Sequence, residues 1–118
     1  MDPSKLGREG ESLARNYLER KGYSYLTGNF KRAHGEIDLI MRDGGTLVFI
    51  EVKTRRNRRY GEPVESVGIT KQKHIKYGAR VYVKSHRIID TPIRFDVVEI
   101  LFLPSGEVKY RHTRNAFY

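Results

Sequence analysis

The 118-residue chain contains no cysteine. That excludes a disulfide framework, a thiolate nucleophile and any zinc site built on Cys ligands. Long hydrophobic runs are missing as well; the longest are a few residues, against the roughly 20 that a membrane-spanning helix needs. The opening "MDPSKLGREGE" has no apolar stretch of the signal-peptide kind, so a cytoplasmic protein is expected. Repeats, low-complexity stretches and linkers are absent, and one domain over residues 1–118 is expected. Neither G-x-x-x-x-G-K-[ST] nor G-x-G-x-x-G occurs, which argues against a nucleotide cofactor. His74, His86 and His112 show no metal-ligand spacing, and His34 stands alone beside Gly35-Glu36.

What is present is positive charge. Twenty-three Lys and Arg against fourteen Asp and Glu give a formal +9, with a pI near 9.9. A domain of this size with that excess suits a polyanion, most commonly nucleic acid. Arg55, Arg56, Arg58 and Arg59, followed by Tyr60, make a basic loop suited to phosphate contacts. No basic amphipathic helix with a large apolar face stands out, so no membrane partner is expected. The sequence is compatible with a homodimer.

Periodicity predicts a helix from Ser4 to Lys21, with Ser4 as N-cap and Gly22 as its stop. Strands follow over Tyr23–Phe30, Glu36–Met41 and Leu47–Thr54, the last two around the turn signal "RDGGT". Arg55 to Gly61 reads as an exposed loop. A second helix runs from Thr70, a good N-cap, to Lys84, with Ile75, Ala79 and Tyr82 facing inward. A strand over Thr91–Ile100, a turn at "LPSGEV" and a short strand over Glu107–His112 complete the chain. The order α-β-β-β-α-β-β predicts an α/β fold, a mixed central sheet flanked by helices.

The stretch "GEIDLIMRDGGTLVFIEVKTR" carries Glu36, Asp38, Glu51 and Lys53 among apolar residues. Burying an unpaired charge is costly, so these four need a reason. Strand side chains alternate faces, which puts Leu47, Phe49, Glu51 and Lys53 on one side and Val48, Ile50 and Val52 on the other. Both faces are largely apolar, as in a central strand covered on both sides. On the preceding strand Ile37, Leu39 and Met41 share one face, and Glu36, Asp38 and Ile40 the other. With Gly44-Gly45 as the loop, Asp43 meets Thr46, Asp38 faces Glu51, and Glu36 faces Lys53. With Asp43-Gly44 as the loop, Asp38 and Glu51 become diagonal neighbours on the same face. Opposed like charges destabilise a sheet. A divalent cation resolves the conflict, because Mg²⁺ takes oxygen ligands from one or two carboxylates.

Asp38, a gap of twelve, then Glu51-Val52-Lys53 resembles the D…(D/E)-x-K core of the PD-(D/E)XK nuclease superfamily. With "GREGESLARNYLERKGY" before it and "RFDVVEI" after it, nearly the whole chain resembles the small bacterial YraN family, related to archaeal Holliday-junction resolvases. The resemblance implies a restriction-endonuclease-like fold and a Mg²⁺- or Mn²⁺-dependent endonuclease acting on branched or structured DNA. It implies Asp38 and Glu51 as metal ligands, joined by the Val52 carbonyl. Lys53 is then the group that positions the attacking water and offsets charge building on the phosphate. Glu11 corresponds to the acid that many such nucleases carry on the first helix. Periodicity does not choose it, since Glu9 and Glu11 flank opposite edges of the apolar stripe. Gln72 matches a glutamine that recurs near the site in related nucleases; a local cap of its helix is the other reading. Ile37 departs from the pattern, standing where many members have Pro, but that residue is not a ligand. A non-catalytic nucleic-acid-binding protein on the same fold is the alternative function. Retention of Asp38, Glu51 and Lys53 together favours the enzyme.

Overall fold

The computed structural model describes residues 3–56 and 67–118, with side chains from residue 7 onward. Its elements run α1 (Pro3–Arg20), β1 (Ser24–Arg32), β2 (Gly35–Asp43), β3 (Thr46–Arg55), α2 (Ile69–Ser85), β4 (Ile93–Phe102) and β5 (Val108–Phe117). One sheet holds all five strands in the order β1-β2-β3-β4-β5. Every neighbouring pair is antiparallel except β3–β4. Parallel neighbours need a crossover, and α2 supplies it. The α/β class, the mixed sheet and the order α-β-β-β-α-β-β are as the sequence indicates.

The two-sided burial of β3 follows from its alternation. Val48 and Ile50 pack with Leu39, Met41, Val98 and Ile100 beneath Ala14 and Leu18 of α1. Leu47 and Phe49 pack with Phe95 and Val97 beneath Ile75, Ala79 and Tyr82 of α2. Helix α1 stops where Gly22 takes φ +96°, with Gly22 N–H on the Glu19 carbonyl and Tyr23 N–H on the Leu18 carbonyl, both at 3.0 Å. Among the described residues no helix is long and apolar enough to cross a membrane.

Several boundaries differ from expectation. The N-cap of α2 is Gly68, not Thr70, and it makes no side-chain cap bond. The first turn closes there because Gln72 N–H reaches the Gly68 carbonyl at 2.9 Å. Strand β3 extends through Arg55, which therefore belongs to the sheet and not to the loop. Strand β5 runs on to Phe117, past His112, after a register shift opposite Phe95 and Val97. A kinked strand of this kind shows weak alternation, which hides its length in the sequence.

The β2–β3 register is the one the Gly44-Gly45 turn requires, from Asp43 opposite Thr46 to Leu39 opposite Ile50. Beyond Leu39 the simple alternation fails. Ile37 was expected beside Leu39 and Met41, but it lies in the opposite cluster with Phe30, Ile40 and Ile75. The cause is a close approach of backbones. A Cβ on Gly35 would stand 2.9 Å from Gly78 Cα, and one on Gly78 would stand 3.1 Å from Ile37 Cδ1. Two glycines thus let α2 settle onto the start of β2, and Ile37 fills the space beneath it.

Candidate functional site

Asp38 sits at that break in the ladder. Its Oδ2 accepts the Val52 backbone N–H at 2.8 Å, so a side chain serves where a strand partner would. Glu51, the next residue toward the turn on β3, is buried at 5 % exposure on the α2 side of the sheet. The two carboxyls lie within hydrogen-bonding reach of each other. Burial pushes the Glu51 pKa up, and the hydrogen bond and charge of Asp38 push it further, while Lys71 and Lys53 pull it back. Two carboxyls in such contact hold a proton more readily than either alone.

Glu51 Oε2 has no hydrogen-bond partner, alone among the buried side-chain polar atoms of the described residues. The nearest cation is Lys71 of α2, whose Nζ lies 3.7 Å away. The same Nζ is 3.7 Å from Glu36 Oε2. Glu36 therefore meets Lys71, and not Lys53 as the extended register implied, because β2 has already turned away from β3 at Asp38.

Lys53 is half-buried on the Glu51 side, with Glu99 of β4 as its register partner. Glu99 is fully buried. Its Oε1 accepts Arg111 Nε and Nη2 at 3.1 and 2.8 Å, and its Oε2 accepts Arg55 Nε at 3.3 Å. Arg55 is thus anchored inward by a carboxylate. Arg56 is exposed just after the strand, and Arg58, Arg59 and Tyr60 lie outside the described residues.

Glu11 reaches the site from α1. The helix comes close because Gly10 faces Thr54, whose methyl a Cβ at position 10 would strike. Burial raises the Glu11 pKa first and the Asp38 charge second, against a hydrogen bond from Asn29 and the charge of Lys31. Gln72 is not drawn to the carboxyls; its Nε2 donates to the Val67 carbonyl at 2.9 Å, a local cap. No group of three His, Asp or Glu close enough to hold a metal occurs among the described residues. The donor set is two neighbouring carboxyls, Asp38 and Glu51, the second of which keeps an orphaned buried oxygen, and oxygen donors of this kind suit a hard divalent cation.

A cavity of about 520 Å³ between α2 and the start of β4 lies elsewhere, lined by Ala79, Val83, Ile88 and Phe95 among others. Sequence reasoning missed Lys71 and Glu99. Both carried a signal: Lys71 stands four residues before Ile75 on the inward stripe, and Glu99 interrupts an apolar alternation as Glu51 does.

A family model described as "Uncharacterised protein family UPF0102" matches residues 10–100. The chain belongs to this family. UPF0102 is the YraN family that the motifs resemble. Relatives named "UPF0102 protein" include one from Dictyoglomus turgidum, 43% identical over 118 residues that cover 99% of this chain and 100% of the relative. Another, from Symbiobacterium thermophilum, is 44% identical and covers 97% of each chain. A third, from Geobacter metallireducens, is 46% identical over 95% of this chain and 91% of its own.

Proposed function

We propose that this protein hydrolyses phosphodiester bonds in nucleic acid, with branched or otherwise structured DNA as its substrate. One observation carries the reading: buried Glu51 lies beside Asp38, keeps an unpartnered oxygen, and shares its strand face with Lys53. Asp38 and Glu51, with the Val52 carbonyl, are the groups to hold a Mg²⁺ or Mn²⁺ ion. When bound, that ion supplies Lewis acidity toward the phosphate and lowers the pKa of the attacking water.

The remaining roles belong to the chain. Lys53 places a fixed positive charge where negative charge grows on the phosphate. Asp38 is oriented for its task by the Val52 N–H. Lys71 balances Glu51 and Glu36. Glu11 borders the carboxyls from α1, and Gln72 orders the start of α2 beside them. Arg56, with Arg58, Arg59 and Tyr60 next in the sequence, is assigned the phosphate contacts, and Arg55, held by Glu99, closes β3 before them.

The test is a cleavage panel of linear, flapped and four-way DNA with Mg²⁺ or Mn²⁺. Wild type should cut at least one substrate, and Asp38→Asn and Glu51→Gln should not. Equal cutting by those variants overturns the assignment. A binding-only reading is favoured by one observation, the convergence of just two carboxyls in contact. Tight DNA binding with no cleavage under either metal selects it.

A further inference from the structure

Between Glu65 and Asp90 the sequence contains no acidic residue. Helix α2 fills most of that interval and carries Lys71, Lys73, Lys76, Arg80 and Lys84. At about 100° per residue, Lys73, Lys76, Arg80 and Lys84 fall opposite the buried stripe of Ile75, Ala79 and Tyr82. Lys73, Arg80 and Lys84 are exposed and Lys76 is half-buried. None of the four forms an ion pair with an acid among the described residues.

Lys76, Arg80 and Lys84 are spaced i, i+4, i+8, the arrangement in which like charges destabilise a helix. A merely solvated face would intersperse acids to relieve that repulsion. The face from Lys73 to Lys84 instead runs about 16 Å along the helix with none.

The row connects to the candidate site. One cleft is lined by His34, Lys73, His74, Lys76, Tyr77 and Arg80. A second, sharing His34 and His74, continues past Lys31 and Arg32 to Glu36. Glu36 is joined through Lys71 to Glu51. The two clefts adjoin at His34 and His74 and make one trough, basic as far as Glu36 at its end, which Lys71 joins to Glu51. Tyr77, 40 % exposed, stands within it as a flat ring beside Arg80.

We infer that a nucleic-acid strand leaving the candidate site lies in this trough, its phosphates on Lys31, Arg32, Lys73, Lys76 and Arg80. Tyr77 offers a stacking surface for a base. The inference rests on the proposed action on nucleic acid and adds the path the polymer takes. A membrane fits poorly, because Ile75, Ala79, Val81, Tyr82 and Val83 of α2 pack on the core and leave only Ile69 and Tyr77 of its large apolar residues exposed. Cations one turn apart, about 5.4 Å, suit a polymer charged at every unit.

The experiment measures binding of a fluorescent DNA oligonucleotide by anisotropy in EDTA, across a series of KCl concentrations. It compares wild type, the triple variant Lys73→Ala, Lys76→Ala, Arg80→Ala, and Lys109→Ala on the far edge strand as control. The triple variant removes repulsion, so its melting temperature should hold or rise. Its affinity should fall about tenfold or more, and its log–log salt slope should become shallower by about 0.9 per lost phosphate contact. Lys109→Ala should change neither. Unchanged affinity and slope in the folded triple variant overturn the trough while leaving hydrolysis to be judged by cleavage. Loss of binding by the triple variant, with no cleavage by wild type, keeps the trough and removes the hydrolase. Wild type that binds phosphatidylglycerol vesicles but no oligonucleotide overturns the trough.

Discussion

Lys71 Nζ stands 3.7 Å from Glu51 Oε2, close enough to neutralise that buried oxygen and too far to hydrogen-bond it. A divalent cation between Asp38 and Glu51 would fill the missing coordination. Adding Mn²⁺ or Mg²⁺ should therefore raise the melting temperature, by the equivalent of about 2.7 kcal/mol at a hundredfold excess over Kd. Asp38→Asn should abolish most of that gain, since it removes one of the two carboxyls that hold the ion. A metal response unaltered by Asp38→Asn places the ion elsewhere.

Lys53 separates ligand from catalyst. Being cationic, it should not bind metal, so Lys53→Ala should keep metal and DNA affinity while lowering the cleavage rate about 10²–10³-fold. Lys53→Arg should restore it incompletely, because a planar fork does not replace a compact ammonium. Single-turnover cleavage checks both. Equal rates in wild type and Lys53→Ala would show that another centre does the cutting.

Asp96 sets an acid limit on stability. It is fully buried, where burial alone would raise its pKa, but hydrogen bonds from His112, Arg94 and Asn115 N–H outweigh this and hold it at about 2. Tyr23 O–H also reaches it at 3.3 Å. A carboxyl depressed in the folded state stabilises above its unfolded pKa and loses that contribution as pH falls through the folded value. Urea denaturation should thus show about 2 kcal/mol lost between pH 4 and pH 2. Asp96→Asn should be less stable at neutral pH and should flatten that descent; a profile as steep as wild type would assign it to other acids.

The glycine contact should be asymmetric. Alanine at Gly35 would meet the Gly78 backbone at 2.9–3.0 Å, which only a shift of α2 can relieve. Gly35→Ala should cost about 1–3 kcal/mol and reduce cleavage by moving Lys71. Gly78→Ala meets mainly the Ile37 side chain, at 3.1–3.3 Å, and gains about 1 kcal/mol of helix propensity. Thermal denaturation should rank it well above Gly35→Ala.

Much of this arrangement was legible from local rules. Alternation on β3 and the Gly44-Gly45 turn are short-range signals, and they fix the register that brings Asp38 toward Glu51. What alternation could not carry was the break at Asp38, where Ile37 changes sides. That break comes from α2 pressing on Gly35, a contact between residues 43 apart in sequence. Arg55 misled for a similar reason: its run of arginines reads as loop, but Glu99 on another strand holds it in the sheet. The glutamine on α2 was readable either way, and its bond to Val67 follows from where the helix begins.

The two-residue turn at Gly44-Gly45 also orders events in time. Asp38 and Glu51 belong to one hairpin, a local structure that closes within microseconds. Lys71 comes only with the crossover helix, and Glu99 only when β4 pairs in parallel with β3, a non-local and slower step. On the way to the folded state the two acids should therefore meet with only Lys53 of their own hairpin beside them, before Lys71 arrives. Mild acid or a divalent salt, by quieting that early repulsion, should speed closure of the hairpin, so refolding rates as well as activity should respond to them.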